Sequence, residues 1–202
     1  TPLATAMLYA GQLDRSNEKN AHIANKITAG LHDLKRMVND MLGFAAGARS
    51  AQQTINVVRL FEEVRETLAG QLGEETRLRI SATNAGLSVA GNKDALKGAL
   101  LNLVNNADQA GKGHAKILLH AHRFGDSTHL CVTDDGPGVP EDVRPQLFVP
   151  FFTTRPQGTG LGLAVVKAVA EAHGGEVKLS TSKLGTNFTI RLPADGDAGD
   201  KS

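Results

Sequence analysis

Asn102 and Asn106 stand four residues apart in the run Asn102-Leu-Val-Asn-Asn106, so on a helix their amides share one face. Amide oxygens are neutral, hard ligands, suited to helping a Mg2+ ion already carried by phosphates. Asp134 follows the apolar stretch Leu130-Cys-Val132 and precedes Gly136 and Gly138. A carboxylate at such a strand end can accept a hydrogen bond from an exocyclic amine such as that of adenine, and the glycines let a flat ring approach the backbone. Phe148, Phe151 and Phe152 are three of the seven Phe in the chain, and Thr153, Thr154 and Arg155 follow them on a segment that reads as a loop. Small polar groups and one cation there suit a lid over phosphates. Gly158-Thr159-Gly160-Leu161-Gly162 then opens a helix whose N–H groups and dipole favour anions. Each segment alone has a plainer reading as a helix end, an Asp-Gly turn or a Phe-anchored surface loop. Four in series, each at an element boundary, describe a Mg-nucleotide pocket. The glycine spacing is neither that of a P-loop nor Gly-x-Gly-x-x-Gly.

The elements that must hold these groups follow from periodicity. Beyond Gly47 to Gln53, a small and polar linker, the pattern predicts a short strand at 54–57, a helix at 60–72, strands at 77–83 and 87–90, and a helix at 93–110. Residues 116–123 and 128–133 read as a hairpin about Gly125-Asp-Ser127, and 176–182 with 187–192 as another about Lys183-Leu-Gly185. A helix at 161–173 stops at Gly174-Gly175. Helices alternating with antiparallel hairpins predict an α+β fold, a two-layer α/β sandwich, over 54–193. Residues 194–202 have too little apolar content to order and read as a mobile tail. At the other end, residues 1–48 predict two amphipathic helices, with an apolar stripe of Ile23, Ile27, Leu34, Met41 and Ala45 on the second. Such a hairpin has little to bury against within itself, which points to a homodimer joined as a four-helix bundle, with packing on its own chain as the alternative.

Bulk composition narrows the partners. The 202 residues carry 22 Lys plus Arg against 21 Asp plus Glu, so no field of one sign draws the chain to nucleic acid or an acidic membrane. Cys131 alone permits no internal disulfide, which with the absence of a signal peptide points to a reducing, cytoplasmic setting. No apolar run nears the ~20 residues that cross a bilayer. His120, His122 and His129 lie on adjacent strands, where solvated histidines are the ordinary case and zinc would require convergence and a further ligand.

The four segments resemble the N, G1, F and G2 boxes of bacterial sensor histidine kinases, within the wider Bergerat-fold ATPases that include gyrase, Hsp90 and MutL. The resemblance covers nearly the whole chain: 1–48 is similar to the dimerisation and phosphotransfer hairpin, 54–193 to the catalytic ATP-binding domain. It implies ATP and Mg2+ as cofactors, Asn106 as the Mg2+ ligand with Asn102 its partner, Asp134 as the adenine contact, Gly136 and Gly138 as the adenine-side turn, and Gly158, Gly160 and Gly162 as the triphosphate loop. Phe148, Thr153, Thr154, Thr159 and Leu161 fall within the same boxes, Arg155 in the lid, and Leu184-Gly-Thr-Asn-Phe188 is similar to the family's last glycine motif.

The resemblance also implies autophosphorylation of a histidine and transfer to an aspartate on a response regulator receiver domain. Two departures qualify it. Hydrolytic members carry a general-base Glu four residues before the Mg-binding Asn; here that position is Asn102, which cannot accept a proton at neutral pH, so slow hydrolysis is expected. The opening Thr1-Pro-Leu resembles the end of a His-x-x-x-Thr-Pro-Leu phosphoacceptor motif, which places the acceptor four residues before Thr1 and leaves Thr1 at the position that helps orient water in dephosphorylating the regulator. Gln109, where such kinases often have Lys or Arg, and the short lid are more similar to kinases paired with nitrogen-regulation-type (NtrC-type) activators, and the start of the chain to flagellar-regulatory kinases. A regulated ATPase and a non-catalytic nucleotide-binding scaffold are the alternatives.

Overall fold

The computed structural model describes residues 53–82, 86–155 and 158–194, together with Ile27. The chain divides into two units, Thr1–Leu42 and Gly43–Ser202, and every element named below belongs to the second. The expected hairpin of residues 1–48, with Thr1, lies outside the described residues.

The order is β1 (Gln53–Asn56), α1 (Val57–Leu68), β2 (Arg77–Ala82), β3 (Ser88–Gly91), α2 (Lys93–Ala110), β4 (Lys116–Phe124), β5 (Ser127–Asp134), a single 3-10 turn (Arg144–Gln146), α3 (Gly162–Ala172), β6 (Glu176–Ser182) and β7 (Gly185–Pro193). Five strands form one sheet in the order β2-β4-β5-β7-β6, and β1 with β3 forms a separate two-stranded ribbon. Strand alternation decides which face is covered. Ile117, Leu119 and Ala121 of β4, Leu130 and Val132 of β5, and Phe188, Ile190 and Leu192 of β7 are all buried. The helices meet them with Leu60, Phe61 and Val64 of α1, Leu96, Leu100, Leu103 and Val104 of α2, and Val165, Val166 and Val169 of α3, all in one core. This is the expected α+β two-layer arrangement, with one sheet face under helices.

Several expectations are corrected. The helix expected at 60–72 spans Val57–Leu68 because Asn56 caps it, its side-chain oxygen accepting the Arg59 N–H at 3.0 Å. Gln53, assigned to the linker, begins β1 and pairs with Gly91. The sheet is not wholly antiparallel, since β2 runs parallel to β4 with Arg77 beside Lys116. Ala194, assigned to the tail, is buried and donates its N–H to the Asp126 carbonyl at 3.0 Å.

α2 carries the central site residues, and its start is held twice. Asn92 caps it by accepting the Ala95 N–H at 3.1 Å. The Asn92 N–H itself donates to Nε2 of His173 at 2.9 Å, while Nδ1 of that ring lies 2.6 Å from the Val169 carbonyl. These partners select the tautomer protonated on Nδ1. The same ring explains Gly91, where a Cβ would sit 2.3 Å from the imidazole. The end of α2 is tied by Asp108, which accepts from the Gly73 N–H and the Thr76 hydroxyl.

Candidate nucleotide-binding site

Asp134 ends β5 with Thr186 of β7 as its register partner, and it is the only buried acidic residue among the described residues. Its Oδ1 accepts the Gly136 N–H at 2.9 Å. Burial pushes its pKa up from the ordinary carboxylate value, and the N–H groups of Gly136 and Thr186 pull it part of the way back. One carboxylate oxygen is thus fixed by the backbone, orienting the group as an acceptor.

The surrounding glycines are required by close approach. A Cβ on Gly136 would lie 2.8 Å from Oδ1 of Asp134 and 3.7 Å from the Ala110 methyl, so this turn sits directly against the end of α2. Gly138 has φ +78 and a Cβ there would lie 2.0 Å from the Ser182 carbonyl oxygen. The neighbouring Val139 N–H donates to Oγ1 of Thr181 at 2.9 Å, pinning the turn to β6. At Gly185 a Cβ would come 2.0 Å from the Asp134 carbonyl oxygen, which gives the last glycine motif a role: it lets β7 start against Asp134.

On α2, the Asn106 side-chain oxygen accepts from Nη1 of Arg155 at 3.1 Å, and its backbone carbonyl accepts from Nη2 at 3.1 Å. Nη1 also donates to Oε1 of Gln109. Arg155 therefore reaches from the lid to the oxygen that the resemblance implies for Mg2+, with its pKa lowered by burial. Gln109, one turn from Asn106, completes this arginine cradle. Asn102 donates from Nδ2 to the Gly162 carbonyl at 3.4 Å, joining α2 to the start of α3. A proton-accepting base is absent at that position.

Phe148 anchors the lid edge-on against Phe188, with ring centroids 6.3 Å apart. Phe151 is 65% exposed with φ +67, and its N–H donates to the Gly160 carbonyl at 3.0 Å. Gly160 also has φ +67, and a Cβ there would fall 2.4 Å from the Phe151 carbonyl carbon. Thr153 closes the next turn, its Oγ1 accepting the Arg155 N–H at 3.1 Å, and a Cβ on Gly158 would lie 2.3 Å from that oxygen. The Thr159 hydroxyl accepts the Leu161 N–H at 3.4 Å, and Thr154 is exposed. Leu161 precedes α3 with no side-chain cap, which leaves first-turn N–H groups for an anion. Gly162 is a milder case: a Cβ would make ordinary contact with Asn102 at 3.7 Å. Pro156 and Gln157 lie outside the described residues.

The structure thus assembles three clusters: Asp134 with Gly136, Gly138 and Gly185; Asn106 with Gln109 and Arg155; and the lid with Gly158 and Gly160. Thr181 escaped the sequence reading because nothing distinguishes it within an alternating strand.

Residues 91–196 match the family described as "Histidine kinase-, DNA gyrase B-, and HSP90-like ATPase". The chain belongs to this family. Among similar proteins of this ATPase family is the sensor protein kinase FleS of Pseudomonas aeruginosa, 38% identical over 96% of this chain and 49% of its own length. The sensor histidine kinase ZraS of Escherichia coli strain K12 is 33% identical over 80% of this chain and 35% of its own length. The chain therefore spans half or less of these relatives. The catalytic domain of histidine kinase ThkA superposes with TM-score 0.64 at 28% identity, covering 72% of this chain and 97% of that one. Full-length ShkA, solved in complex with AMPPNP, superposes with TM-score 0.78 at 25% identity, covering 98% of this chain and 44% of that one. No described helix is long and apolar enough to cross a membrane.

Proposed function

We propose that this chain is the ATP-binding core of a protein-histidine kinase, and that it donates the γ-phosphoryl group of ATP within a two-component signalling pathway. The observation that carries the reading is the buried Asp134 carboxylate, fixed through Gly136 on a glycine-walled turn against the end of α2. Asp134 takes the adenine amine, and the first turn of α3 with Gly158 and Gly160 receives the phosphates. The residues fit Mg2+ as well: Asn106 offers a hard oxygen that already binds a cation, the Arg155 guanidinium. Bound Mg-ATP supplies the phosphoryl group and neutralises its charge. In this reading Arg155 turns from Asn106 to the phosphates as the lid closes, and Asn102 holds α2 to the glycine loop without abstracting a proton.

The kinase names of FleS and ZraS support the transferase reading, and the AMPPNP complex of ShkA supports the nucleotide. Residues 1–48 are proposed to dimerise as a four-helix bundle, 49–52 to link it to the ATP-binding domain, and 195–202 to form a tail. Proposed roles at Phe148, Thr153, Thr154, Thr159 and Leu161 are to shape the lid and triphosphate loop, and Thr1 is proposed to act in the dephosphorylation of a partner receiver domain, of an NtrC-type activator. The setting is cytoplasmic.

The first test is calorimetric titration of a non-hydrolysable ATP analogue into the folded chain with Mg2+ and with chelator. Mg-dependent binding, with steady-state hydrolysis near zero, supports the kinase core. Absence of binding overturns it. Phosphoryl transfer is read as acid-labile label from γ-labelled ATP in a polypeptide with a histidine four residues before Thr1.

A further inference from the structure

The sheet face turned away from the helices carries a cluster that the nucleotide site does not use. His120 and His122 are separated by one residue on β4 and so share a face, and β5 places Cys131 in register with His120 and His129 with His122. One ligand atom from each of His120, His122 and Cys131 lies within 4.8 Å of the other two. The His120 and His122 rings stack with centroids 6.0 Å apart, and His129 stands edge-on to His122 at 5.0 Å.

We propose that His120, His122 and Cys131 form a zinc site with water in the fourth position. Tetrahedral Zn2+ with Zn–N of about 2.0–2.1 Å and Zn–S of about 2.3 Å needs ligand atoms roughly 3.3–3.8 Å apart. The cluster reaches this by side-chain movements of about 1 Å, a shift available within rotamer wells. The Cys131 sulfur is 1% exposed, and its contact with Oγ1 of Thr189, long at 3.5 Å, leaves it open to a metal at the cost of deprotonating a buried thiol. On binding, the Cys131 S–H bond breaks, its proton leaves to solvent and a zinc–thiolate bond forms, with no change of oxidation state. His129 is the residue that sequence alone would have made the third ligand. Its Nε2 instead lies 3.1 Å from the Ser127 hydroxyl, so it borders the site and Cys131 takes its place.

The test uses the 202-residue chain and the metal alone. Co2+ as a spectroscopic substitute should give a near-ultraviolet thiolate-to-metal band and tetrahedral visible bands. Zn2+ at a hundred times its Kd should raise Tm by about 5–10 °C. Cys131→Ser and His122→Gln should each weaken Zn2+ binding by more than the roughly 10–100-fold that outer-shell partners carry. Asn106→Ala should leave the Zn2+ response intact, separating this site from the nucleotide pocket. A Zn2+ response unchanged in Cys131→Ser, or a cobalt spectrum of the native chain without the thiolate band, would mean that surface histidines alone bind the metal and would overturn the proposal. The native cobalt spectrum decides the matter even if a variant fails to fold.

Discussion

Asp134→Asn separates recognition from stability at one atom. The variant keeps Oδ1 as acceptor for the Gly136 N–H, so the turn survives, but an NH2 group now confronts the adenine amine, donor against donor. A hydrogen bond to a charged group contributes about 1.5–3 kcal/mol, so ATP affinity should fall by roughly 10–150-fold. Stability should move the other way. Because burial raises the Asp134 pKa above its ordinary 3.8, the unfolded chain ionises first as pH rises, and the native state carries a cost above that window that is absent below it. Removing the charge removes the cost, so at neutral pH the variant should melt no lower than the native chain, with the comparison improving from acid to neutral. Titration calorimetry with ATP and GTP, paired with melting curves at several pH values, reads both effects. The GTP affinity should change less than that for ATP, since guanine presents a carbonyl where adenine has its amine. Native-like ATP affinity in a folded variant would refute the assignment of Asp134 to the base.

Three further substitutions probe the other clusters. Asn106→Ala should abolish the tightening of ATP binding by Mg2+, at least about tenfold or 1.4 kcal/mol, while binding in chelator stays unchanged; titration under both conditions checks it. Gly160→Ala should cost about 1–2 kcal/mol for its left-handed backbone, with added crowding of the Phe151 carbonyl, and should weaken triphosphate binding more than it lowers Tm. His173→Ala leaves the Asn92 N–H without its partner and should destabilise the fold by about 1–3 kcal/mol in denaturant titration, with ATP affinity of the folded fraction unchanged.

The glycine-rich segments were legible because backbone geometry admits little else there. Gly138 and Gly160 hold positive φ, and Gly136, Gly158 and Gly185 stand where a methyl would strike a carboxylate, hydroxyl and carbonyl oxygen respectively. Helix α2 was readable because an Asn cap and an apolar stripe agree. At α1 the two signals conflicted: Ile55, Val57 and Val58 favour a strand, yet Asn56 caps a helix and Val57 is fully buried at its first turn. Burial and the cap together outweighed propensity. The parallel pairing of β2 with β4 was not legible, since local alternation says nothing of which neighbour a strand meets after a crossover through β3 and α2. The Arg155 cradle was hidden for a similar reason, because its partners Asn106 and Gln109 are 49 and 46 residues away.

That cradle also has a kinetic consequence. The Arg155 guanidinium already occupies the Asn106 oxygen, so if that oxygen holds Mg2+ as proposed, nucleotide arrival would be a displacement rather than the filling of a vacant site. Arg155 must give up three hydrogen bonds before it can swing clear of that oxygen. Observed association rates should therefore level off at high nucleotide concentration, at the speed with which the arginine lets go. Below that plateau binding follows the supply of nucleotide; above it, the lid sets the tempo.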